Sequence, residues 1–221
     1  MYRILPILTP AEVDECRRIA ASSQFVDGRI TNPHNVAKQN EQLHDQAVYQ
    51  KSAQILGAAL TRSEEFREFA FPAVVAPPLI TRYKSGMKYG LHTDAAFLNM
   101  SPTLRLRPDL SCTIFLNDPA SYEGGSLHIR LGDADLRFKL QPGEAVVYPS
   151  DTLHEVEPVT KGERLVAICF IQSQIQDPFR RNLLFNLNEV AALEGLNMKH
   201  ENYTMLQLVQ AQLLRYWGDK P

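Results

Sequence analysis

The chain has 221 residues, of which 44% are hydrophobic and 22% are charged, a balance typical of one soluble globular domain. Its formal net charge of -2 gives no electrostatic reason to bind nucleic acid or an anionic membrane, so neither is expected as a partner. No apolar run approaches the ~18 residues of a membrane span, and the first residues lack a signal-peptide core, so the expected location is the cytoplasm.

The first predicted element is a helix that starts near residue 10. Thr9, Pro10 and Glu12 have the spacing of an N-cap, a first-turn proline and a capping box. Residues 24–40 are polar and broken by glycine and proline, which is typical of strand and loop. Residues 41–60 then show helical spacing of apolar side chains, which predicts a second helix.

Segment 31–42 is rich in amide side chains and has two interpretations. It is either a lid over a binding cavity or a solvated loop.

After Pro72 the pattern changes to short apolar stretches separated by turn residues. Strands at this spacing indicate a sandwich or barrel of the jelly-roll kind. The predicted strands cover residues 79–84, 110–116, 126–129, 136–140, 145–149 and 164–172.

From Asn182 onward the spacing of apolar residues predicts two short amphipathic helices. The second has an apolar stripe, formed by Leu206, Val209, Leu213 and Trp217. The stripe indicates a helix packed on the core, with a homodimer surface as the alternative. The expected fold is therefore mostly β with flanking helices. Its regions are residues 1–76 (helices and loops), 77–181 (jelly-roll core) and 182–221 (helical extension), all packed as one unit.

The three cysteines, Cys16, Cys112 and Cys169, are odd in number and far apart in sequence. This spacing argues against a disulfide framework or a zinc–cysteine site. We expect them to be small buried hydrophobic residues.

Four residues carry the chemistry of a candidate metal site. His92 and Asp94 alternate in phase, so on one strand or its end their side chains share a face. His154 follows 62 positions later, and Arg164 ten residues after that. Two imidazoles and one carboxylate can hold one face of an iron(II) ion. Zinc is the competing metal, but the hydrolytic H-E-x-x-H motif is absent from the sequence.

The other histidines, His34, His44, His128 and His200, have no ligand spacing and are expected at the surface. Asp151 and Glu155 flank His154 but would point away from it on a strand, so both are expected to be solvated.

The chain resembles the PKHD-type hydroxylases, the prolyl/lysyl-hydroxylase-like branch of the iron(II)/2-oxoglutarate dioxygenases, over nearly its whole length. The order and spacing of several short blocks carry the resemblance. They are residues 25–29 (FVDGR), 83–90 (YKSGMKYG) before His92-Thr93-Asp94, 107–111 (RPDLS), 115–119 (FLNDP), 122–125 (YEGG), 148–150 (YPS), 158–164 (PVTKGER) and 171–173 (IQS).

The resemblance implies a double-stranded β-helix core, the cupin-like form of the jelly roll. It implies that His92, Asp94 and His154 are the iron ligands. It also implies that Arg164 binds the far carboxylate of 2-oxoglutarate, with the Tyr83 hydroxyl nearby.

The chain departs from the family pattern at Phe115, where prolyl hydroxylases usually have a tyrosine. Phenylalanine cannot hydrogen-bond, so the co-substrate contact is expected elsewhere, at Thr113. Thr93 and residues 95–96 (Ala-Ala) also differ from the residues common in the family, so the rim of the cavity is expected to differ.

The implied activity is hydroxylation of an unactivated C–H bond with release of succinate and CO2. The implied cofactors are Fe(II), 2-oxoglutarate as co-substrate, O2, and ascorbate as a reductant. The substrate stays open among an amino acid, a peptide or protein side chain, and a small metabolite. The alternatives are a metal-binding cupin enzyme that does not use 2-oxoglutarate and a non-catalytic sensor or binding module on the same fold.

Overall fold

A computed structural model describes residues 1–33 and 35–218. Most strands within these residues belong to two antiparallel sheets, and helices precede and follow them. The helices are α1 (Pro10–Ala21), α2 (Gln46–Arg62), α3 (Glu64–Ala70), α4 (Pro178–Glu194) and α5 (His200–Trp217). The strands are β1 (Arg3–Pro6), β2 (Phe25–Asp27), β3 (Lys38–Gln39), β4 (Glu41–Leu43), β5 (Pro72–Val75), β6 (Leu79–Lys84), β7 (Lys88–His92), β8 (Leu98–Asn99), β9 (Arg105–Leu106), β10 (Leu110–Phe115), β11 (Glu123–Gly124), β12 (Leu127–Leu131), β13 (Ala134–Phe138), β14 (Glu144–Pro149), β15 (Leu153–Val156), β16 (Val159–Lys161) and β17 (Glu163–Ser173).

The larger sheet has the strand order β1-β14-β10-β17-β6-β4-β2, with β5 paired to β17. The smaller sheet has the order β13-β12-β15-β7-β3. Apart from β12 and β13, neighbouring strands in the two sheets are not consecutive in sequence, as in a jelly roll, whose chain crosses repeatedly between two sheets. This confirms the mostly β class with flanking helices.

The larger sheet is covered on both faces, and β10 shows how its sequence permits this. All of its residues are buried. Cys112 and Ile114 pack in the cluster that includes helices α1 to α4, whereas Phe115 packs in a second cluster with the smaller sheet. Ser111 and Thr113 are in phase with Phe115 and therefore face the smaller sheet. Polar side chains thus lie on an otherwise apolar inner face.

We call the cluster shared with the smaller sheet the inner cluster, and the cluster that includes helices α1 to α4 the outer cluster. The inner cluster packs between the two sheets. Its buried members come from both sheets and include four aromatic rings, which fill this volume efficiently. They are Tyr83, Phe115, Leu127, Ile129, Phe138, Val146, Tyr148, Val156, Val159 and Val166.

The predicted first helix is confirmed, and its capping box is formed by Thr9 and Glu12. The predicted second helix starts too early. Glu41–Leu43 pairs as β4 with β2 and β6, and α2 begins only after its N-cap residue Asp45. The apolar residue in this stretch, Leu43, is buried in the outer cluster. A single apolar residue is compatible with both the helical repeat and the alternation of a strand, so the sequence could not distinguish them.

The C-terminal helices pack against the helical face of the larger sheet. Asp177 caps α4, which begins slightly before the predicted start. On α5, Leu213 and Trp217 pack against the core, as the stripe predicts, but Val209 is 41% exposed. The division at residues 76 and 181 stays a prediction. No helix in the described part of the chain combines the length and apolarity that a membrane crossing requires.

The three cysteines are buried and free, as expected. Cys112 and Cys169 are direct cross-strand partners on β10 and β17.

Candidate metal centre

Two strands of the smaller sheet bring the predicted histidines together. His92 is the last residue of β7, and His154 on β15 is its cross-strand partner. Their ring centroids are 4.3 Å apart. Asp94 follows just beyond β7, and its Oδ2 lies 3.8 Å from the Nε2 of His154. Within the described residues, one potential ligand atom from each of the three lies within 4.8 Å of the others.

The backbone orients both imidazole rings in the same way. Nδ1 of His92 is 2.7 Å from the carbonyl oxygen of Gly90, and Nδ1 of His154 is 2.9 Å from that of Thr152. Because a carbonyl oxygen only accepts, each Nδ1 carries the proton and donates it. Each Nε2 is then left with a lone pair for a metal ion.

Two serines fix the position of Asp94. Ser111 lies on β10 of the larger sheet, and Ser150 lies in the turn that follows β14. The Ser111 hydroxyl donates a short hydrogen bond to Oδ2 of Asp94. Ser111 and Ser150 hydroxyls are 2.7 Å apart, and the Asp94 amide donates to the Ser150 carbonyl oxygen at 3.3 Å. Burial raises the pKa of the Asp94 carboxyl, and the neighbouring His154 opposes this. A bound cation would favour the ionised form still further.

The protonation state of His92 also suits a metal ligand. Burial, together with the nearby His154, lowers the pKa of His92 to about 4, so this imidazole is neutral at neutral pH. The ring of Tyr89 stacks on it, with centroids 3.6 Å apart and planes at 14°. Two imidazoles whose Nε2 atoms are not used by the backbone hydrogen bonds, together with one carboxylate, fit an iron(II) ion bound on one face.

Arg164 lies in β17 with its side chain on the inner face of the larger sheet. It is 1% exposed, and burial lowers the pKa of its guanidinium. Its Cζ lies 5.1 Å from the ring centroid of Tyr83 and 5.5 Å from that of Phe115. Across residues 1–33 and 35–218, its Nε finds no hydrogen-bond partner. A buried cation with an unused donor is costly unless an anion binds beside it.

The glycines of the Tyr-Glu-Gly-Gly block make room for this arginine. Gly125 has φ of +66°, and a Cβ placed on it would lie 2.8 Å from Val159 Cγ2 and 3.2 Å from Arg164 Cδ. A Cβ on Gly124 would lie 2.1 Å from the Pro158 carbonyl oxygen. Side chains at these positions would therefore displace the strand beside Arg164.

The two weaker co-substrate candidates lie on the same inner face. Tyr83 is the cross-strand partner of Arg164, and its hydroxyl accepts a hydrogen bond from the Asn40 amide at 3.1 Å. Thr113 is buried on β10, close to the Tyr148 hydroxyl. Phe115 is buried against Arg164, so the ring is present there without a hydroxyl.

The prediction that His128 lies at the surface is wrong. It is 5% exposed, and its two ring nitrogens are each 3.0 Å from a carboxylate oxygen, one on Glu155 and one on Asp135. Glu155 is only half-buried and points away from His154, but it pairs with His128 instead of being simply solvated. His128 lies on the outer face of the smaller sheet because it is out of phase with Ile129, the cross-strand partner of His154.

Of the remaining histidines, His44 and His200 are exposed as expected, and His34 lies outside the described residues. Asp151 is exposed, also as expected.

Part of segment 31–42 forms β3, the edge strand beside β7. Lys38, Asn40 and Gln42 in this segment are buried. The interpretation of this segment as a wholly solvated loop is therefore wrong. Its movement as a lid stays a prediction.

Residues that support the centre are missing from the sequence-based set. They are Ser111, Ser150, Tyr89 and Lys38. Two signals pointed to Ser111: it alternates with apolar residues in a buried strand, and it belongs to the block of residues 107–111.

Comparison with known proteins gives consistent matches. The family model of the 2OG-Fe(II) oxygenase superfamily matches residues 78–172, which include all four predicted site residues. A PKHD-type hydroxylase of Sphingopyxis alaskensis is 59% identical over 217 residues, covering 98% of this chain and 99% of the relative. Another, from Thermosynechococcus vestitus, is 39% identical over 223 residues, covering 99% of each chain.

Solved structures with the same fold include a Pseudomonas putida prolyl-4-hydroxylase. It has a TM-score of 0.55 and 19% identity, and the match covers 78% of this chain and 92% of that one. A Burkholderia pseudomallei oxidoreductase of the 2OG-Fe(II) oxygenase family has a TM-score of 0.56 and 20% identity, over 76% and 82% of the two chains. At this identity the likeness shows the fold alone.

Proposed function

The chain belongs to the PKHD-type hydroxylases of the 2OG-Fe(II) oxygenase superfamily, and from this premise we propose which bond it oxidises and which residues do the work. It inserts one oxygen atom of O2 into an unactivated C–H bond of an amino acid, a peptide or protein side chain, or a small metabolite. The other oxygen atom enters 2-oxoglutarate, which leaves as succinate and CO2. Ascorbate serves as a reductant that keeps the metal in the iron(II) state.

Iron(II) and 2-oxoglutarate together would supply the oxygen-activating chemistry, and the protein supplies binding and orientation. His92, Asp94 and His154 hold the metal. Nδ1–H donation to backbone carbonyls keeps each Nε2 directed at it, and Ser111 holds the carboxylate of Asp94. Three protein ligands leave the remaining positions free for co-substrate and O2.

Arg164 binds the far carboxylate of 2-oxoglutarate. The observation that carries this assignment is the buried guanidinium whose Nε has no partner in the described residues. The Tyr83 hydroxyl, whose pKa burial raises to about 12, stays protonated and can donate to the same carboxylate. Thr113 offers a further hydroxyl on this face. Aromatic rings around the arginine exclude water and strengthen the ion pair.

The test is succinate formation and O2 consumption by the purified protein with Fe(II), ascorbate and 2-oxoglutarate. Wild-type protein should form succinate slowly alone and faster with its substrate. Asp94→Ala should form none above background, because two imidazoles alone hold the metal too weakly. The control is Asp133→Ala, which changes an exposed carboxylate in the turn between β12 and β13. Wild-type succinate formation by Asp94→Ala would show that this site does not carry the reaction.

A further inference from the structure

A second buried cation, Lys38, faces the same inner space from the opposite edge. Lys38 lies in β3 directly across from Tyr89 on β7, so both side chains are on the inner face of the smaller sheet. It is 7% exposed. Its Nζ lies 5.8 Å from the centroid of the Tyr89 ring, and that ring stacks on His92. The ammonium therefore lies near the aromatic ring that contacts His92 of the metal centre.

Lys38 forms no direct ion pair within the described residues, although the charges of Asp27 and Asp94 favour its ammonium form from a longer distance. Nζ donates to the Thr31 hydroxyl at 2.8 Å, and this hydroxyl lies 3.0 Å from the Gln42 amide oxygen. No carboxylate in the described parts of the chain comes within 4.0 Å of Nζ. Burial also lowers the pKa of the Lys38 amine. A buried ammonium without a directly paired anion costs free energy, which an anion bound next to Nζ would offset.

Hydrogen bonds made by Asn35 fix the surroundings of Lys38. The Asn35 amide donates to the Tyr89 hydroxyl at 3.2 Å, and the Asn35 side-chain oxygen accepts from the Ala37 amide at 3.0 Å. These contacts hold the strand edge and the Tyr89 ring in place. Thr31 is exposed, so the Lys38 side chain lies just beneath an open edge of the sheet.

This cation is not needed by 2-oxoglutarate. The proposed function places one end of that molecule on the metal and the other on Arg164, in β17 of the larger sheet. Lys38 belongs to the edge strand of the smaller sheet, next to the strand that carries Tyr89 and His92. It is therefore available to the molecule that is hydroxylated.

We propose that Lys38 binds a carboxylate of the hydroxylated substrate, which makes the substrate a carboxylic acid. The inference rests on the proposed function and deepens it. The carboxylate comes either from the α-carboxylate of a free amino acid or from an acidic side chain in a peptide. Lys38 is a specificity-determining residue: it fixes one end of the substrate so that a neighbouring C–H bond faces the metal.

The direct test follows the Nζ signal of Lys38 by NMR in full-length protein labelled with ¹⁵N-lysine and loaded with Zn(II) and 2-oxoglutarate. The signal is assigned by its absence in Lys38→Arg. Acetate should shift it saturably, and acetamide, which has the same shape without the charge, should not. No saturable shift with acetate, or equal shifts with both probes, would overturn the proposal.

A second readout uses succinate formation with free amino acids and with acidic dipeptides whose termini are blocked. The set that accelerates succinate formation in wild type identifies the source of the carboxylate. Lys38→Met should raise the half-saturating concentration more than tenfold, the loss expected for one charge-assisted hydrogen bond. Lys38→Arg should recover part of the lost substrate affinity. The matched control is Lys88→Met, which removes an exposed lysine of β7.

Calorimetric binding of 2-oxoglutarate separates this inference from the proposed function. Lys38→Met should bind 2-oxoglutarate like wild type. If the variant loses 2-oxoglutarate binding, Lys38 serves the co-substrate and the inference is wrong. If wild-type protein itself binds no 2-oxoglutarate, the proposed function fails instead.

Discussion

At the scale of single residues, hydrogen bonds hold the ligand side chains in position before a metal binds. For the two histidines, these bonds use the ring nitrogen that does not face the metal. Both histidines donate Nδ1–H to the carbonyl oxygen two residues earlier, at Gly90 and Thr152. A ring held in this way loses little freedom when Nε2 binds an ion, so the entropic cost is met during folding. The alternating placement of His92 and Asp94 was predictable from spacing. The serine that holds the carboxylate was not, because its position depends on how the two sheets face each other.

Replacing Arg164 by methionine tests the co-substrate role. We expect Arg164→Met to raise the KM for 2-oxoglutarate by about a hundredfold, because hydrogen bonds between charged groups contribute about 2–3 kcal/mol. Steady-state succinate formation at varied 2-oxoglutarate measures the change.

The same variant should fold at least as stably as wild type when 2-oxoglutarate is absent, since it removes a buried cation whose Nε is unpaired in the described residues. Chemical unfolding checks this. The control is Arg137→Met, which changes an exposed arginine paired with Glu157. A large loss of stability in Arg164→Met alone would mean that the arginine is structural.

At the scale of elements, local sequence signals specified the ends of several elements, and pairing specified the rest. The N-cap, proline and glutamate at the start of α1 were readable because their interactions span three residues. Strand β4 was read as helix because its pairing partners, β2 and β6, are distant in sequence. Short edge strands such as β3 carry too few residues to show a period.

The capping glutamate of α1 also joins two helices, which makes a pH-dependent prediction. Glu12 accepts from Thr9 and pairs with Arg62 of α2 at 2.9 Å, and the hydrogen bonds from Arg62 lower the pKa of Glu12 from 4.5 to about 2. A lowered folded-state pKa gives stability that is complete above pH 4.5. That stability is lost as the pH falls toward 2. Glu12→Gln should therefore cost about 1 kcal/mol at pH 7.

Urea unfolding of both proteins at several pH values measures this difference. The gap between wild type and Glu12→Gln should narrow once the pH falls below about 4.5. Asp14→Asn on the same helix, whose exposed carboxylate lies 3.5 Å from Arg17, is the control and should have a small effect throughout. If the difference in unfolding free energy between wild type and Glu12→Gln stayed constant down to pH 3, the ionised Glu12 carboxylate would not be the source of the stability.

At the scale of the whole molecule, the site exists because two sheets enclose it from opposite sides. The smaller sheet provides the two histidines, and the larger sheet provides Arg164 and the serine that holds Asp94. Helices cover only the outer face of the larger sheet, which leaves the inner face for chemistry. A homodimer stays a prediction, and so does the location of the protein in the cell.

Metal binding should stabilise the whole fold, because it ties β7, β15 and the turn at Asp94 together. With Mn(II) as the probe at about a hundredfold excess over its Kd, linkage gives about 2.7 kcal/mol. For a chain of this size that corresponds to a rise in Tm of about 5–10 °C. Differential scanning calorimetry with and without Mn(II) measures it.

Two variants make this prediction specific to the centre. Asp94→Ala should lose the rise in Tm, and Arg164→Met should keep it, since the arginine is not a ligand. An equal rise in all three proteins would indicate that the ion binds elsewhere on the chain.

The sequence by itself determined the jelly-roll class, most central strands and the four residues proposed to hold metal and co-substrate. Those features follow from alternation, turn residues and short spacings, which act over a few residues and are reinforced by the family resemblance. Only the tertiary structure decided that His128 is buried and that Ser111 holds Asp94. It also decided that Lys38 is buried near the Tyr89 ring. The physical reason is that burial and charge compensation depend on which strands are neighbours, and the neighbours here are far apart along the chain.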